Sequence, residues 1–293
     1  MKISTTRWAA LAAATLLAVS ACGNAGSDDD SGSDVKAEKV TFDAGTRMAE
    51  LQKQGSVKIG VKFDQPGIGF KGATQKVPSG FDPEIGKILA SKLGLETSDI
   101  QWVETISSNR EPFLENGTVD FVIASYSITD ERRKIVGQTG PYYVTGQSLL
   151  VAKDDDSIKS ADDLTGKKVC SVTGSTSIKT VEEKYGAKPA PFDTYSECVD
   201  QLLAGSVDAV TTDAAILLGY AAEDPDKLKV VGEPFSEERY GVGFGKDHPE
   251  LCQFINDSLT AAFDDGSWKK AFDDTLGKGG GDAGDPPALD PCA

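Results

Sequence analysis

Apolar side chains recur along the middle of this chain in two rhythms. Short continuous runs read as strands, and stripes at three- and four-residue spacing read as helices. Residues 46–54 predict a short helix and Val57-Lys-Ile-Gly-Val61 a first strand. A helix follows over 82–93, with Ile85, Ile88, Leu89 and Leu93 on one stripe. Residues 100–103 read as a second strand. Residues 111–115 read as a helix with Pro112 near its start, and 119–124 as a third strand. Gly140-Pro-Tyr-Tyr-Val144 then leads into a long extended segment over 147–152.

The same order begins again. A short helix over 162–165 and a strand over 168–172 come first. Thr173-Gly-Ser-Thr-Ser177 then opens a helix that runs through Tyr185. A helix over 196–203, a strand over 207–211 and a short helix over 214–220 follow, and 240–244 is again extended. Helices over 250–264 and 268–275 close the pattern. Within it, Gly117-Thr-Val-Asp120-Phe-Val-Ile-Ala-Ser125 matches Gly205-Ser-Val-Asp208-Ala-Val-Thr-Thr-Asp213, 88 residues later. Each copy reads as the end of an amphipathic helix, a glycine cap and an apolar strand whose far end turns polar. Ligands of open α/β sheets sit outside the carboxyl ends of strands. The repeat therefore puts Ser125 and Asp213 at equivalent places in two similar lobes that face each other across a cleft. The fold class is α/β with two lobes. Lobe 1 takes residues 43–146 plus 240–276 and lobe 2 takes 147–239. Extended segments near 145–152 and 234–245 form the two crossings of a hinge.

The ends of the chain differ from this core. Lys2 and Arg7 precede an apolar stretch from Trp8 to Val19, and Val19-Ser20-Ala21-Cys22 has the small residues of a cleavage site, so 1–21 reads as a signal peptide. The site resembles the lipobox of bacterial lipoproteins, in which the cysteine, here Cys22, is acylated; an ordinary signal peptide is the other reading. Residues 22–42 have few large apolar side chains and read as a flexible, lipid-anchored spacer. Residues 277–293, rich in Gly, Pro and Asp, read as an irregular tail.

Charge and cysteines narrow the function classes. The chain carries −16, and losing the two leader cations leaves −18. With no basic stretch, that balance argues against nucleic acid and for a monomer. After Cys22, four cysteines remain, which suits an exported chain with disulfides. Of three possible pairings, Cys170–Cys198 and Cys252–Cys292 are favoured. The first lies within one repeat, and the second would pin the tail. A zinc site is disfavoured by the long spacings and by His248 being the only histidine. Neither a serine-nucleophile elbow nor a strand-linked glycine-rich nucleotide loop is present, so no cofactor and no metal is expected.

Several motifs together carry a family resemblance. They are Gly80-Phe-Asp-Pro-Glu-Ile85, Ser127-Ile-Thr-Asp-Glu-Arg-Arg133, Pro141-Tyr142, Thr173-Gly-Ser-Thr-Ser177 and the repeat element ending in Asp213. The chain resembles the solute-binding proteins of bacterial polar amino-acid ABC importers, extracellular solute-binding protein family 3, over about 56–275. Pro83 departs from the aliphatic residue usual there, a change that suits a first helical turn. Ser107-Ser-Asn-Arg110-x-Pro112 and Asn116-Gly-Thr-Val-Asp120 resemble the glutamate/aspartate-binding branch. The tether and four cysteines resemble the glutamate-binding lipoproteins of actinobacteria. The resemblance implies a periplasmic-binding-protein fold with a mixed sheet in each lobe, a free L-amino acid as ligand, glutamate favoured, and an ABC permease as partner. It also implies extracytoplasmic localisation.

A free amino acid brings a carboxylate and an ammonium, and burying either needs an opposite charge. Arg132 suits the α-carboxylate because its planar fork binds both oxygens. Thr173 and Thr176 lie where a helix opens, and free N–H groups there favour an anion. Asp213 is the ammonium partner, assisted by Ser125 and Ser127. The resemblance places the Phe81 ring over the ligand's aliphatic stem. Lys62 and Arg110, with Ser107 beside it, are the candidates for a side-chain carboxylate, and Tyr195 completes the ligand-binding set. Two other functions share this geometry, a tethered ligand sensor and a same-fold dehydratase or lyase.

Overall fold

A computed structural model describes residues 36–279 and 281–292. The signal peptide and Cys22 lie outside the described residues. Helices are α1 (Arg47–Gln54), α2 (Phe81–Lys92), α3 (Arg110–Glu115), α4 (Asp130–Arg133), α5 (Thr176–Tyr185), α6 (Tyr195–Leu203), α7 (Ala214–Glu223), α8 (Glu250–Asp265) and α9 (Ser267–Asp274). Strands are β1 (Val57–Val61), β2 (Asp64–Gln65), β3 (Gly69–Phe70), β4 (Ile100–Glu104), β5 (Phe121–Val122), β6 (Gly137–Thr145), β7 (Gln147–Ala152), β8 (Lys168–Val172), β9 (Lys188–Phe192), β10 (Ala209–Asp213), β11 (Leu228–Val231) and β12 (Glu238–Phe244).

The strands build two mixed five-stranded sheets, ordered β4-β1-β5-β12-β6 and β9-β8-β10-β7-β11. The two orders are the same plan used twice. In each, a parallel trio (β4-β1-β5 or β9-β8-β10) is followed by two antiparallel strands. The repeated segment lands on the equivalent strands β5 and β10. Side chains alternate across both sheets as the two-residue period requires. Leu149, Val151, Val169 and Ala209 pack on one face of the second sheet, while Leu150, Cys170, Val172 and Val210 pack on the other. In the first sheet Phe121 and Val122 part the same way. This is the two-lobed periplasmic-binding-protein fold.

Local chemistry sets the helix ends. Thr46 accepts from the Ala49 N–H to open α1, and Gly55 closes it at φ +69°. Thr194 and Glu197 form a capping box on α6. Two crossings join the sheets, β6 to β7 through Gly146 and β11 to β12 over 232–237. They are laced together, with the Gln147 N–H donating to Ser236 Oγ (3.1 Å) and the Phe235 N–H to the Gln147 carbonyl (2.9 Å).

Some segments differ from the sequence expectation. Strand β5 is shorter than 119–124 because the chain leaves the ladder at Ser125, which has φ +42°. Residues 36–42, expected in the spacer, lie along the first lobe. The Glu38 N–H donates to Ser91 O, Gln52 Nε2 to Val40 O, and the Phe42 ring meets Phe254 edge-on. Among its described residues the tail forms neither helix nor strand beyond a 3-10 turn at Leu276–Gly279, yet it returns to the first lobe through a Cys252–Cys292 disulfide. The other pair is Cys170–Cys198, bridging β8 and α6.

Candidate functional site

The carboxyl ends of the parallel strands of both sheets converge on one narrow, tightly lined cavity. Ser107, Arg110, Ser125, Ser127 and Arg132 line it from the first lobe. Ser175, Thr176, Ser177, Tyr195, Thr212, Asp213 and Ile216 line it from the second. Eight of the eleven ligand contacts expected from the sequence are therefore brought together.

Arg110 and Arg132 are its cationic wall. Arg110 opens α3 and is fixed by backbone carbonyls, Nε donating to Ser107 O (3.2 Å) and Nη1 to Ala124 O (3.2 Å). Arg132 rides on α4, where Thr129 caps its N–H. Nη1 donates to Ser127 O (2.7 Å), and Nε pairs with Glu111 at 3.2 Å. Both guanidiniums lie against the Tyr126 ring, 4.7 and 4.9 Å from its centroid. Both also reach one acceptor from the opposite lobe, the Gly174 carbonyl, at 3.4 Å from Arg110 Nη2 and 3.0 Å from Arg132 Nη2. Burial, with repulsion from Arg132, lowers the Arg110 pKa to about 10.

Asp213 faces them at the end of β10. Tyr240 donates its hydroxyl to Oδ2 (2.6 Å), and Oδ1 has no hydrogen-bond partner among the described residues. Burial first, then the nearby Glu238 carboxylate, raises its pKa to about 7. Thr176 begins α5 behind the Ser175 cap, and its hydroxyl donates to Glu238 Oε2 (3.1 Å). That bond ties the cavity to the hinge.

Three expected contacts lie elsewhere. Phe81 does not face the cavity. Its ring is fully buried among Tyr142, Tyr143, Trp268 and Phe272, with centroids 5.7–6.3 Å away. The first position of α2 points at the helices that return from the C-terminus, so the ring is core. Thr173 is exposed, because its N–H continues the strand by donating to Phe192 O (2.8 Å) and the chain turns inward only afterwards. Lys62 is 1% exposed and sits behind Tyr195, with Nζ 5.8 Å from that ring and unpartnered among the described residues. Burial pulls its pKa down to about 8, against the pull of Asp64.

The reading also missed Asp82. This wholly buried carboxylate accepts the Tyr142 hydroxyl (2.6 Å) and the Ser125 N–H (2.7 Å). It thereby holds Ser125, the one non-glycine residue with positive φ among those described, in its costly conformation. The available signal was in the motif itself, an acid in the first turn of α2 beside Phe81. Ser175, Ser177, Thr212 and Ile216 were missed too; their strand-end positions were the available cue.

The lobes meet closely around the cavity. The Tyr195 N–H donates to Asp64 Oδ2 (2.7 Å), and the Tyr220 hydroxyl donates to the Asp64 carbonyl. A Cβ on Gly219 would stand 2.3 Å from the Pro66 carbonyl oxygen, and one on Gly174 3.2 Å from Ser108. Two sheets that present polar strand ends to a shared, enclosed space suit the binding of a small polar solute. The chain belongs to the bacterial extracellular solute-binding proteins, family 3, which matches residues 57–278. It is 39% identical over 247 residues to the glutamate-binding protein GluB of Corynebacterium efficiens, covering 80% of this chain and 84% of that one. It is 36% identical over 260 residues to a glutamine-binding protein of Geobacillus stearothermophilus, covering 86% and 97%. Among solved structures, an ancestral arginine-binding protein bound to glutamine aligns at TM-score 0.71 and 39% identity, over 76% of this chain and 98% of that one. These relatives are binding proteins, and the chain is a solute-binding protein rather than an enzyme.

The Gly219 contact yields a test of closure. Gly219→Ala forces α7 away from the β2–β3 hairpin, so solute-induced compaction in small-angle scattering should shrink and affinity should fall about tenfold. The melting temperature without solute should hold or rise, since Ala favours helix. Unchanged affinity and compaction would show that this contact is not part of the closed state.

Proposed function

We propose that this protein is a lipid-anchored extracytoplasmic receptor that captures glutamate and delivers it to an ABC permease. Aspartate and glutamine are the other candidate ligands. One observation carries the reading. Two buried guanidiniums converge on a common acceptor, the Gly174 carbonyl, while a buried carboxylate with one open oxygen faces them. An amino acid with a second carboxylate supplies the complementary charges.

In this reading Arg132 and the first N–H groups of α5 at Thr176 hold the α-carboxylate. Asp213 Oδ1 takes the ammonium, with the Ser125 carbonyl and Ser127 hydroxyl beside it. Arg110 and Ser107 read the side-chain carboxylate, and Lys62 adds positive potential from behind Tyr195. The lobes, 43–146 with 240–276 against 147–239, close by bending at the two crossings. Acylation at Cys22 keeps the domain at the membrane, next to the permease. The glutamate- and glutamine-binding relatives support this class of ligand. The excess of cations over free carboxylates supports glutamate, because an unpaired buried cation against an amide is unfavourable.

Titration calorimetry with glutamate, aspartate and glutamine tests the reading. Removing one partner of a buried charge pair costs about 2–5 kcal/mol. Arg132→Ala and Asp213→Ala should therefore each weaken glutamate binding by about 30-fold or more while the fold persists. Binding within a few-fold of wild type would undo the α-carboxyl and α-amino assignments.

Selectivity isolates Arg110. Wild type should prefer glutamate over glutamine by at least about tenfold, or roughly 1.4 kcal/mol. Arg110→Ala should lower that ratio more than it weakens glutamine binding. A ratio that survives the substitution places the side-chain pocket elsewhere.

Acidity should report Asp213. Its pKa near 7 in the empty cleft means that it is mostly protonated at pH 6. Glutamate's own groups do not titrate between pH 6 and 7.5. An ammonium binds the ionised carboxylate, so ligand binding takes a proton off Asp213, and affinity must fall as pH falls. From pH 7.5 to 6 the loss should be roughly eightfold by linkage. Asp213→Asn should flatten the profile, and any slope left belongs to Asp82, raised to about 7 by burial, or to Lys62, lowered to about 8 by burial.

A further inference from the structure

The helix that carries Arg132 is a single turn, Asp130–Arg133. So short a helix has little stability of its own, because nucleation dominates. Its position must come from what grips it. Thr129 Oγ1 accepts the Arg132 N–H at one end, and Lys246 Nζ donates to the Arg133 and Lys134 carbonyls (3.1 and 2.7 Å) at the other. The third grip comes from the C-terminal tail. Asp290 Oδ2 takes Arg133 Nη2 at 2.6 Å, and Oδ1 takes Arg239 Nη2 at 2.6 Å.

The second of these arginines matters as much as the first. Arg239 lies on β12, and its carbonyl accepts the Ile128 N–H (2.8 Å). The Gly241 N–H donates to Tyr126 O (2.9 Å), so β12 braces the segment between Ser125 and α4. Tyr240, the next residue, donates to Asp213. One carboxylate therefore joins the neighbour of Arg132 to the neighbour of Tyr240. The tail holds Asp290 firmly: its N–H donates to Gly140 O (2.6 Å), its carbonyl accepts from Asn256 Nδ2 (2.8 Å), and Cys292 is bonded to Cys252. This strap lies beyond the residues matched by the family, 57–278.

We propose that Asp290 is a positioning residue of the binding site, which acts through Arg133 and Arg239 to hold the Ser125–Arg132 segment in its binding geometry. The inference rests on the assignment of the α-carboxylate to Arg132. Partial burial opposes ionisation of Asp290, but the two guanidiniums hold its carboxyl below the usual range, so it is a carboxylate at neutral pH.

Asp290→Asn tests it in the whole secreted domain with both disulfides intact. Two readouts are used. Amide hydrogen exchange without ligand should speed up several-fold in peptides spanning 126–136, while peptides over 195–213 in the second lobe stay as in wild type. In calorimetry the variant should bind glutamate roughly fivefold more weakly, the size of loss expected of a partly exposed charge network. Its discrimination between glutamate and glutamate α-amide, which lacks the α-carboxylate, should narrow, while its discrimination between glutamate and glutamine should not. A merely structural loss would lower all three ligands alike. Unchanged exchange over 126–136, or an unchanged α-amide ratio, overturns the inference. If wild type binds no glutamate, the ligand assignment fails instead, and the exchange result still judges Asp290.

Discussion

Arg110, Arg132, Lys62 and Asp213 are all less than a tenth exposed; Arg110, Arg132 and Asp213 line one small space, and Lys62 lies behind its Tyr195 wall. Among the described residues neither Arg110 nor Lys62 forms an ion pair, and one oxygen of Asp213 has no partner. Charges so far out of water cost several kcal/mol each unless something answers them. The protein answers in part. Backbone carbonyls of Ser107, Ala124 and Ser127 and the face of Tyr126 carry the guanidiniums, and Tyr240 carries half of Asp213. The lowered pKa of Lys62 and the raised pKa of Asp213 measure what is left unanswered. A stable core would not keep such groups; a cleft waiting for a charged solute has a use for them.

The scaffold exists to bring those groups together. Parallel strands in two copies of one sheet plan point their carboxyl ends at the same place, and the cleft residues sit at those ends or in the turns and short helices that follow them. The rigid part is apolar and alternates across both faces of each sheet. The polar part is made of turns, and turns need separate restraint. Asp82 restrains Ser125, the Thr129 cap and Lys246 restrain α4, and Ser175 restrains α5. Buried carboxylates and short ion pairs do here what ladder hydrogen bonds do in the strands.

How much of this was legible follows from the same division. The repeat fixed the equivalence of β5 and β10, and periodicity placed the long helices to within a residue or two. Strand β9 escaped because Lys188-Pro-Ala-Pro-Phe192 carries two prolines, which a central strand would forbid; it is an edge strand, where they are tolerated. The β2–β3 hairpin and α4 are too short to show a period. Phe81 was assigned to the ligand and proved to be core, while its neighbour Asp82 supports the site. Both follow Gly80, and no local pattern tells which of two adjacent side chains turns toward the cleft. The reach of Asp290 back to Arg133, across 157 residues, has no local signature at all.

Closure and charge neutralisation are one event in this geometry. The Gly174 carbonyl reaches both arginines across the cleft, where the second lobe lies against Ser107 and Ser108 and a side chain at position 174 would crowd the contact. A carbonyl is a neutral acceptor and cannot balance two cations. The protein's own groups therefore leave the cavity's charges incompletely balanced, with Asp213 Oδ1 on the far side unpartnered among the described residues. In the proposed mode the α-carboxylate and the ammonium of a dicarboxylic amino acid each draw on both lobes, while its side-chain carboxylate is met from the first. Low dielectric then strengthens every contact as water leaves. The Thr176–Glu238 bond links this cavity wall to the start of β12, next to the crossing between the sheets.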